Sequence, residues 1–405
     1  MRATRRAVPS TAVARPPGPS RRAVWLAAWP VTAVFVLSNT ATPLYVVWRD
    51  RLGFSSGMLT VVFAGYIVGL LAALLVAGVV SDRVGRKPVL LPALVLGVVA
   101  SVLFATAGSV LTLVAARLLS GIAVGAVVSA GMAAVADVAG PGRRRFAALL
   151  ASTAMVLGAG TGPLLAGVLS ETLPGATVTV FLLEIVLLAL AVLVVWRLPL
   201  DPPAGPRAGA WIRVPSVPRV HRTRLLMGVA VFAPGITSTS FVLSLGPSLL
   251  ADVLDTTSRI VAGATAFVMF TAATAVQFAV RRLRVRTILL TGAASVVAAM
   301  VLLTAAVHLS SAPLLAAAAI LAGGGQGLGQ LGGLTLIGAH VPADRLAEAN
   351  AALNVGGYVP AGVLPVAVGY LGDVVGLSAA TTAFAATLAA AGLAGAVFVA
   401  REAAD

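Results

Sequence analysis

Apolar residues come in long blocks along this chain, and polar residues come in short bursts. The blocks run to about 20 positions or more, enough for a helix to cross a hydrocarbon core of about 30 Å. Clusters of Arg and turns of Gly, Pro and Asp separate them. Read this way, spans fall near residues 23–48, 57–80, 87–108, 109–139, 145–171 and 176–197, and again near 225–253, 257–281, 287–308, 311–341, 345–371 and 376–399. The pattern predicts an all-α membrane protein with twelve transmembrane helices, because backbone in lipid must satisfy its own hydrogen bonds.

Between the two sets of six lies LPLDPPAGPRAGAWIRVPSVPRVHRTR, residues 198–224, too rich in Pro and Arg to span and therefore a linker. The predicted organisation is a basic tail at 1–22, a six-helix bundle at 23–197, the linker, a second six-helix bundle at 225–399 and a short tail at 400–405. The halves repeat weakly: GVVSDRVGRKPVLL from Gly78 lies over QFAVRRLRVRTILL from Gln277, so a basic turn followed by an apolar start recurs in both. Two such halves are a transporter plan, with a substrate site between them near the midplane.

Composition agrees with the pattern. The chain is 59% hydrophobic and only 10% charged, whereas soluble domains are about a quarter charged; its mean hydropathy is +1.03. Short loops rich in Lys and Arg stay in the cytoplasm. With both termini inside, Arg49, Arg51 and Arg259 fall outside, Arg117 falls within a span, and every other one of the 28 basic residues falls on the cytoplasmic side. The charge of +15 is therefore topological. It is spread over short loops with few aromatics among them, which speaks against nucleic-acid binding. PSRRAVWLAA near the start resembles a twin-arginine signal, but a small-residue cleavage site is missing and further spans follow, so it reads as a topogenic tail. With no Cys and three scattered His, the sequence carries no metal-site signal and no disulfide. It also has no cluster of catalytic residues and reads as a non-enzyme.

The stretch from Gly78 to Pro88, GVVSDRVGRKP, concentrates charge in an otherwise apolar chain. Gly78, Asp82, Arg83, Gly85, Arg86 and Lys87 resemble the signature of the major facilitator superfamily between spans two and three. The resemblance covers the whole chain through span count, halves and linker. It implies a fold of two pseudo-symmetric six-helix bundles working as a monomer in the cytoplasmic (inner) membrane. It also implies a latch built from Asp82, Arg86, Asp137 at the end of span four and the start of span eleven near Leu346, which together hold the cytoplasmic side shut in the outward-open state. A carboxylate suits such a place, at a helix end or facing an arginine. The alternative is that the basic residues only set topology and Asp82 is a solvated charge.

Two further stretches resemble the same family. Arg117, Gly121 and Gly125 match its span-four pattern of an Arg followed by spaced glycines. An arginine inside a span costs at least about 2.5 kcal/mol on insertion scales, so it needs a partner or a wet cavity. Glu184 in span six is the one acid at similar depth. Arg117 then lines the cavity and takes part in proton or substrate coupling, or it forms a structural pair with Glu184 or snorkels to the outer interface. Gly158, Gly162, Pro163 and Gly167 resemble the span-five signature of the superfamily's antiporters, with Ala166 in place of one glycine. Glycines a turn apart allow close helix contact and a Pro bends the span. An ordinary packing seam is the alternative. The glycines of GGGQGLGQLGG, from Gly323 to Gly333, follow no strand and read as a flexible or tightly packed part of span ten, not a phosphate loop.

Family geometry implies a cavity lined by Asn39, Thr42, Tyr45, Thr237, Ser238, Ser240, Gln326, Gln330, Asn354 and Tyr358, together with Arg117. Uncharged polar groups on apolar walls suit amphipathic small molecules better than sugars or phosphates. The chain thus resembles the twelve-span drug:proton antiporters: a small molecule as substrate, protons as the driving partner, the bilayer as surroundings, no cofactor beyond the proton gradient. Importers and metabolite exporters of the same fold remain open, as does a non-transporting sensor. Span one carries Asn39 where such antiporters often have an acid. Glu184 is then the proton-coupling candidate, unless it is a fixed structural partner or faces lipid.

Overall fold

A computed structural model describes residues 21–200, 211, 215–280, 282–342 and 345–402. The tail at 1–20, most of the predicted linker, and Asp201, Arg281, Asp344 and Asp405 lie outside the described residues. Among the described residues, twelve helices are long and apolar enough to cross a membrane: Arg21–Leu52, Ser56–Val84, Lys87–Ala105, Val110–Ala139, Phe146–Thr172, Ala176–Arg197, Arg219–Asp252, Arg259–Val280, Val285–His308, Ala312–His340, Leu346–Val375 and Leu377–Glu402. They are spans one to twelve below. Arg21 and Glu402 lie at the same end of the bundle, the termini end; the opposite end is the far end.

The predicted spans stand within a few residues, and several run longer than hydropathy suggested because their last turns carry charge. Span two continues helically through Asp82 and Arg83 to Val84. Two spans are interrupted in their interior. Span one breaks after Thr40 into a 3-10 turn, Thr42–Leu44, before the helix resumes at Tyr45, because Pro43 has no N–H to give the preceding turn. Span four contains a π segment, Val127–Gly131, an irregularity found mostly at functional sites.

Spans one to six pack chiefly on one another, as do spans seven to twelve, and the two groups meet along span two with eleven and span five with eight. Small residues make these contacts close. A Cβ at Gly263 would overlap the Pro163 carbonyl oxygen, one at Gly167 that of Arg259, and one at Gly369 would lie 2.6 Å from Thr60 Oγ1. The glycines of span ten are helical and tightly packed: a Cβ at Gly325 would sit 2.5 Å from Val296 Cγ2, and one at Gly327 would overlap the Ala273 carbonyl oxygen.

Candidate functional site

At the termini end, the charged stretch of span two folds so that only Gly85 and Arg86 lie outside helix. Gly85 adopts φ +101°, where a side chain would be strained, and turns the chain into span three. The turn brings Arg86 back over span two. Its Nη1 donates to Ser81 Oγ and Asp82 Oδ1, both at 2.6 Å, and its Nε donates to Asp137 Oδ2 at 2.9 Å. One guanidinium therefore joins the ends of spans two and four. Burial opposes its charge, but the bonds it donates to Asp137 and Asp82 outweigh burial and its pKa is raised. Lys87 Nζ donates to the Trp196 carbonyl of span six at 2.9 Å, and Arg83 lies 4.3 Å over the Trp211 ring of the linker. Gly78 sits half-buried within span two. Leu346, the expected partner on span eleven, lines a cleft of about 340 Å³ with Leu71, Leu74 and Leu75 of span two.

Arg117 is fully buried, and among the described residues it forms no pair with Glu184. Span one takes the guanidinium instead. Its Nε donates to Tyr45 Oη at 2.5 Å and its Nη1 to the Ser38 carbonyl at 2.8 Å. The break after Thr40 explains this, since the last turn of a helix leaves carbonyls without intrahelical donors and carries partial negative charge. Rings of Tyr45, Phe63, Tyr66 and Phe104 lie 5.1–5.8 Å from its Cζ, and Nη2 has no hydrogen-bond partner. Gly121 and Gly125 bring span two close beside it: a Cβ at Gly121 would overlap the Tyr66 carbonyl oxygen, and one at Gly125 would lie 2.7 Å from that of Leu70.

Glu184 is 2% exposed, and its Oε1 has no hydrogen-bond partner. It faces a small crevice between spans one, five and six, bounded by Val36, Thr40, Gly162 and Ala166. The span-five motif forms the opposite wall. A Cβ at Gly158 would lie 2.5 Å from the Thr32 carbonyl oxygen, and one at Gly162 would overlap that of Val36. The motif thus presses span five onto span one while Pro163 and Gly167 meet span eight.

Between the two groups of helices lies a cavity of about 250 Å³. Asn39, Ser240, Gln326, Gln330, Asn354 and Tyr358 line it as expected. Thr42, Tyr45, Thr237 and Ser238 do not: Tyr45 is taken by Arg117, Thr42 faces a separate crevice beyond the break in span one, and Thr237 and Ser238 are fully buried in span seven. Arg117 is also absent from the lining. It stands one layer back, because Ser38, Phe63 and Tyr66 both border the cavity and surround the guanidinium. Polar residues alone missed much of the wall, which includes Phe35, Phe63, Tyr66, Phe270 and Gln277. An aromatic in an apolar helix gives no local signal of facing a cavity; only the helix pairing reveals it. No Asp, Glu, Lys or Arg is among the described lining residues.

The cavity lies in the middle and termini-end half of the bundle, and at the far end polar contacts among the described residues join the two helix groups at three places. Arg49 of span one binds Asp252 of span seven through two 2.6 Å bonds. Asp373, at the end of span eleven, accepts from the Ser56 and Gly57 amides at the start of span two, both at 3.0 Å. Glu171, at the end of span five, accepts from the Arg259 and Ile260 amides at the start of span eight, the latter at 3.1 Å. The last two are the same device in the two halves, a carboxylate capping a helix N-terminus across the interface.

The Major Facilitator Superfamily model matches residues 24–304. Multidrug resistance protein MdtL of Escherichia coli is 36% identical over 97 residues, 23% of this chain and 25% of that protein, and MdtL of Shigella boydii matches to the same extent. The chain thus matches about a quarter of the length of these curated relatives. The crystal structure of a point mutant of nucleoside transporter NupG superposes with a TM-score of 0.72 at 12% identity, covering 93% of this chain and 99% of that one. At that identity the likeness concerns the fold alone.

Proposed function

The chain belongs to the Major Facilitator Superfamily, and on that premise we propose that it exports small amphipathic molecules across the cytoplasmic membrane by alternating access, driven by protons. The observation that carries this reading is the cavity: aromatic and carboxamide side chains from both helix groups around about 250 Å³, with no ionised group among the described lining residues. Such a site holds apolar bodies by area and orients them by a few hydrogen bonds. The partial match to a multidrug resistance protein and the span-five motif favour export over uptake.

Alternating access needs two states of similar energy. The far-end contacts hold the state described here, with the cavity towards the termini. In the opposite state, the cytoplasmic side closes on the Asp82, Arg86 and Asp137 cluster. Glu184 is the proton carrier in this scheme: a buried carboxyl without a partner, set behind the helix pair that the span-five motif presses together. Changing its protonation changes the cost of keeping that crevice dry.

The experiment compares substrate accumulation in inside-out and right-side-out membrane vesicles under an imposed pH gradient. Export by proton exchange predicts uptake into inside-out vesicles when the lumen is acidic, abolished by a protonophore. Uptake by right-side-out vesicles alone, downhill with the proton, would mark an importer instead.

A further inference from the structure

We propose that the cavity is selective for uncharged aromatic molecules and rejects organic cations, with the buried Arg117 as the residue that sets this preference. The inference rests on the efflux reading and names the substrate class of that same site.

An arginine side chain does not give up its charge inside proteins. Arg117 is fully buried, forms no ion pair among the described residues, and leaves Nη2 without a hydrogen-bond partner. What surrounds it carries only partial negative charge: a hydroxyl oxygen, the carbonyl end of a helix and the faces of four rings. A net positive field therefore remains. It reaches the cavity directly, because Ser38, Phe63 and Tyr66 form the shared wall. In a medium of low polarizability such a field acts over several ångströms.

Among the described residues, the cavity holds no ionised group to offset that field for a cationic guest, only ring faces and carboxamide oxygens with their partial negative charge. Its described lining has no carboxylate, and span one offers Asn39, whose Nδ2 already donates to Ser38 Oγ at 2.9 Å. Glu184 faces its own crevice. What the cavity does offer is neutral. Tyr66, Phe63, Phe270 and Tyr358 supply ring faces and edges, and Gln326 Oε1 is a buried acceptor without a donor. A planar, uncharged molecule with an N–H or O–H group satisfies that acceptor while its body fills the apolar walls.

The test uses the full chain in proteoliposomes with an imposed pH gradient and two sets of probes: uncharged aromatics such as chloramphenicol, and fixed aromatic cations such as ethidium. The wild-type protein is expected to move uncharged probes at least about tenfold faster than cations. Asn39→Asp and Gln326→Glu each place a carboxylate in the cavity and are expected to shift that ratio about tenfold towards the cations. Two variants are used so that one that misfolds leaves the other. Wild-type flux of cations equal to or above that of uncharged probes overturns the proposal while leaving efflux intact. An unchanged ratio in both folded variants overturns the role of the field. Flux of neither set overturns the efflux reading itself, and this inference with it.

Discussion

Replacing Asp82 by Asn keeps the shape of the side chain and removes one of the two charges that Arg86 holds. Arg86 then keeps Asp137 as its ion partner, so the ends of spans two and four stay joined less firmly. Because both carboxylates are partly exposed, each pair contributes at most about 1 kcal/mol. The expected result for Asp82→Asn is normal insertion, a fall in kcat of about fivefold and little change in KM, read by transport kinetics. Glu184→Gln keeps volume but cannot carry a proton; it should abolish gradient-driven flux while leaving substrate exchange without a gradient near wild type. Equal retention of both modes would remove Glu184 from coupling. Gly162→Val tests the packing of span five on span one: overlap with the Val36 carbonyl should destabilise the fold by about 1–3 kcal/mol, seen as a lower Tm in detergent. At this scale the sequence was informative about depth and silent about partners. Arg117 was recognisable as buried, but its partners include a backbone carbonyl freed by a helix break, and a main-chain acceptor leaves no trace in residue type.

Each half of the molecule closes its far end with a carboxylate on the neighbouring half's helix N-terminus, Asp373 on span two and Glu171 on span eight. A charge at a helix N-terminus contributes about 0.3–1 kcal/mol when exposed and up to about 2 in partly buried geometry. Losing both should therefore move a balanced two-state equilibrium by about three- to thirtyfold. Asp373→Asn with Glu171→Gln is expected to lengthen the distance between spin labels at Leu52 and Val253. An unchanged distribution would assign closure to Arg49 and Asp252. The basic turns at the termini end were visible as a sequence repeat because they take several like residues. The far-end caps were not, since each needs one acid and two amides. The break in span one had a visible cause in Pro43, yet only the fold shows that it feeds Arg117.

Twelve spans were legible because hydropathy is a property of whole segments, so local misreadings of a few residues do not alter the count. Membership of the cavity was legible only in part. It depends on the rotation of each helix, and a 3-10 turn in span one rotated Thr42 and Tyr45 away from it. Sidedness remains a prediction of the arginine distribution: Ser216→Cys, in a chain without cysteine, should resist an impermeant thiol reagent added outside intact cells. The central claim is that substrate and proton exchange across one protein. The most direct measurement follows the internal pH of proteoliposomes while substrate is added on the side of the termini end, with no initial gradient. Proton-coupled export predicts a substrate-dependent pH change of the counter-transport sign, lost in Glu184→Gln. Substrate flux in the wild-type protein with no accompanying proton movement would contradict it.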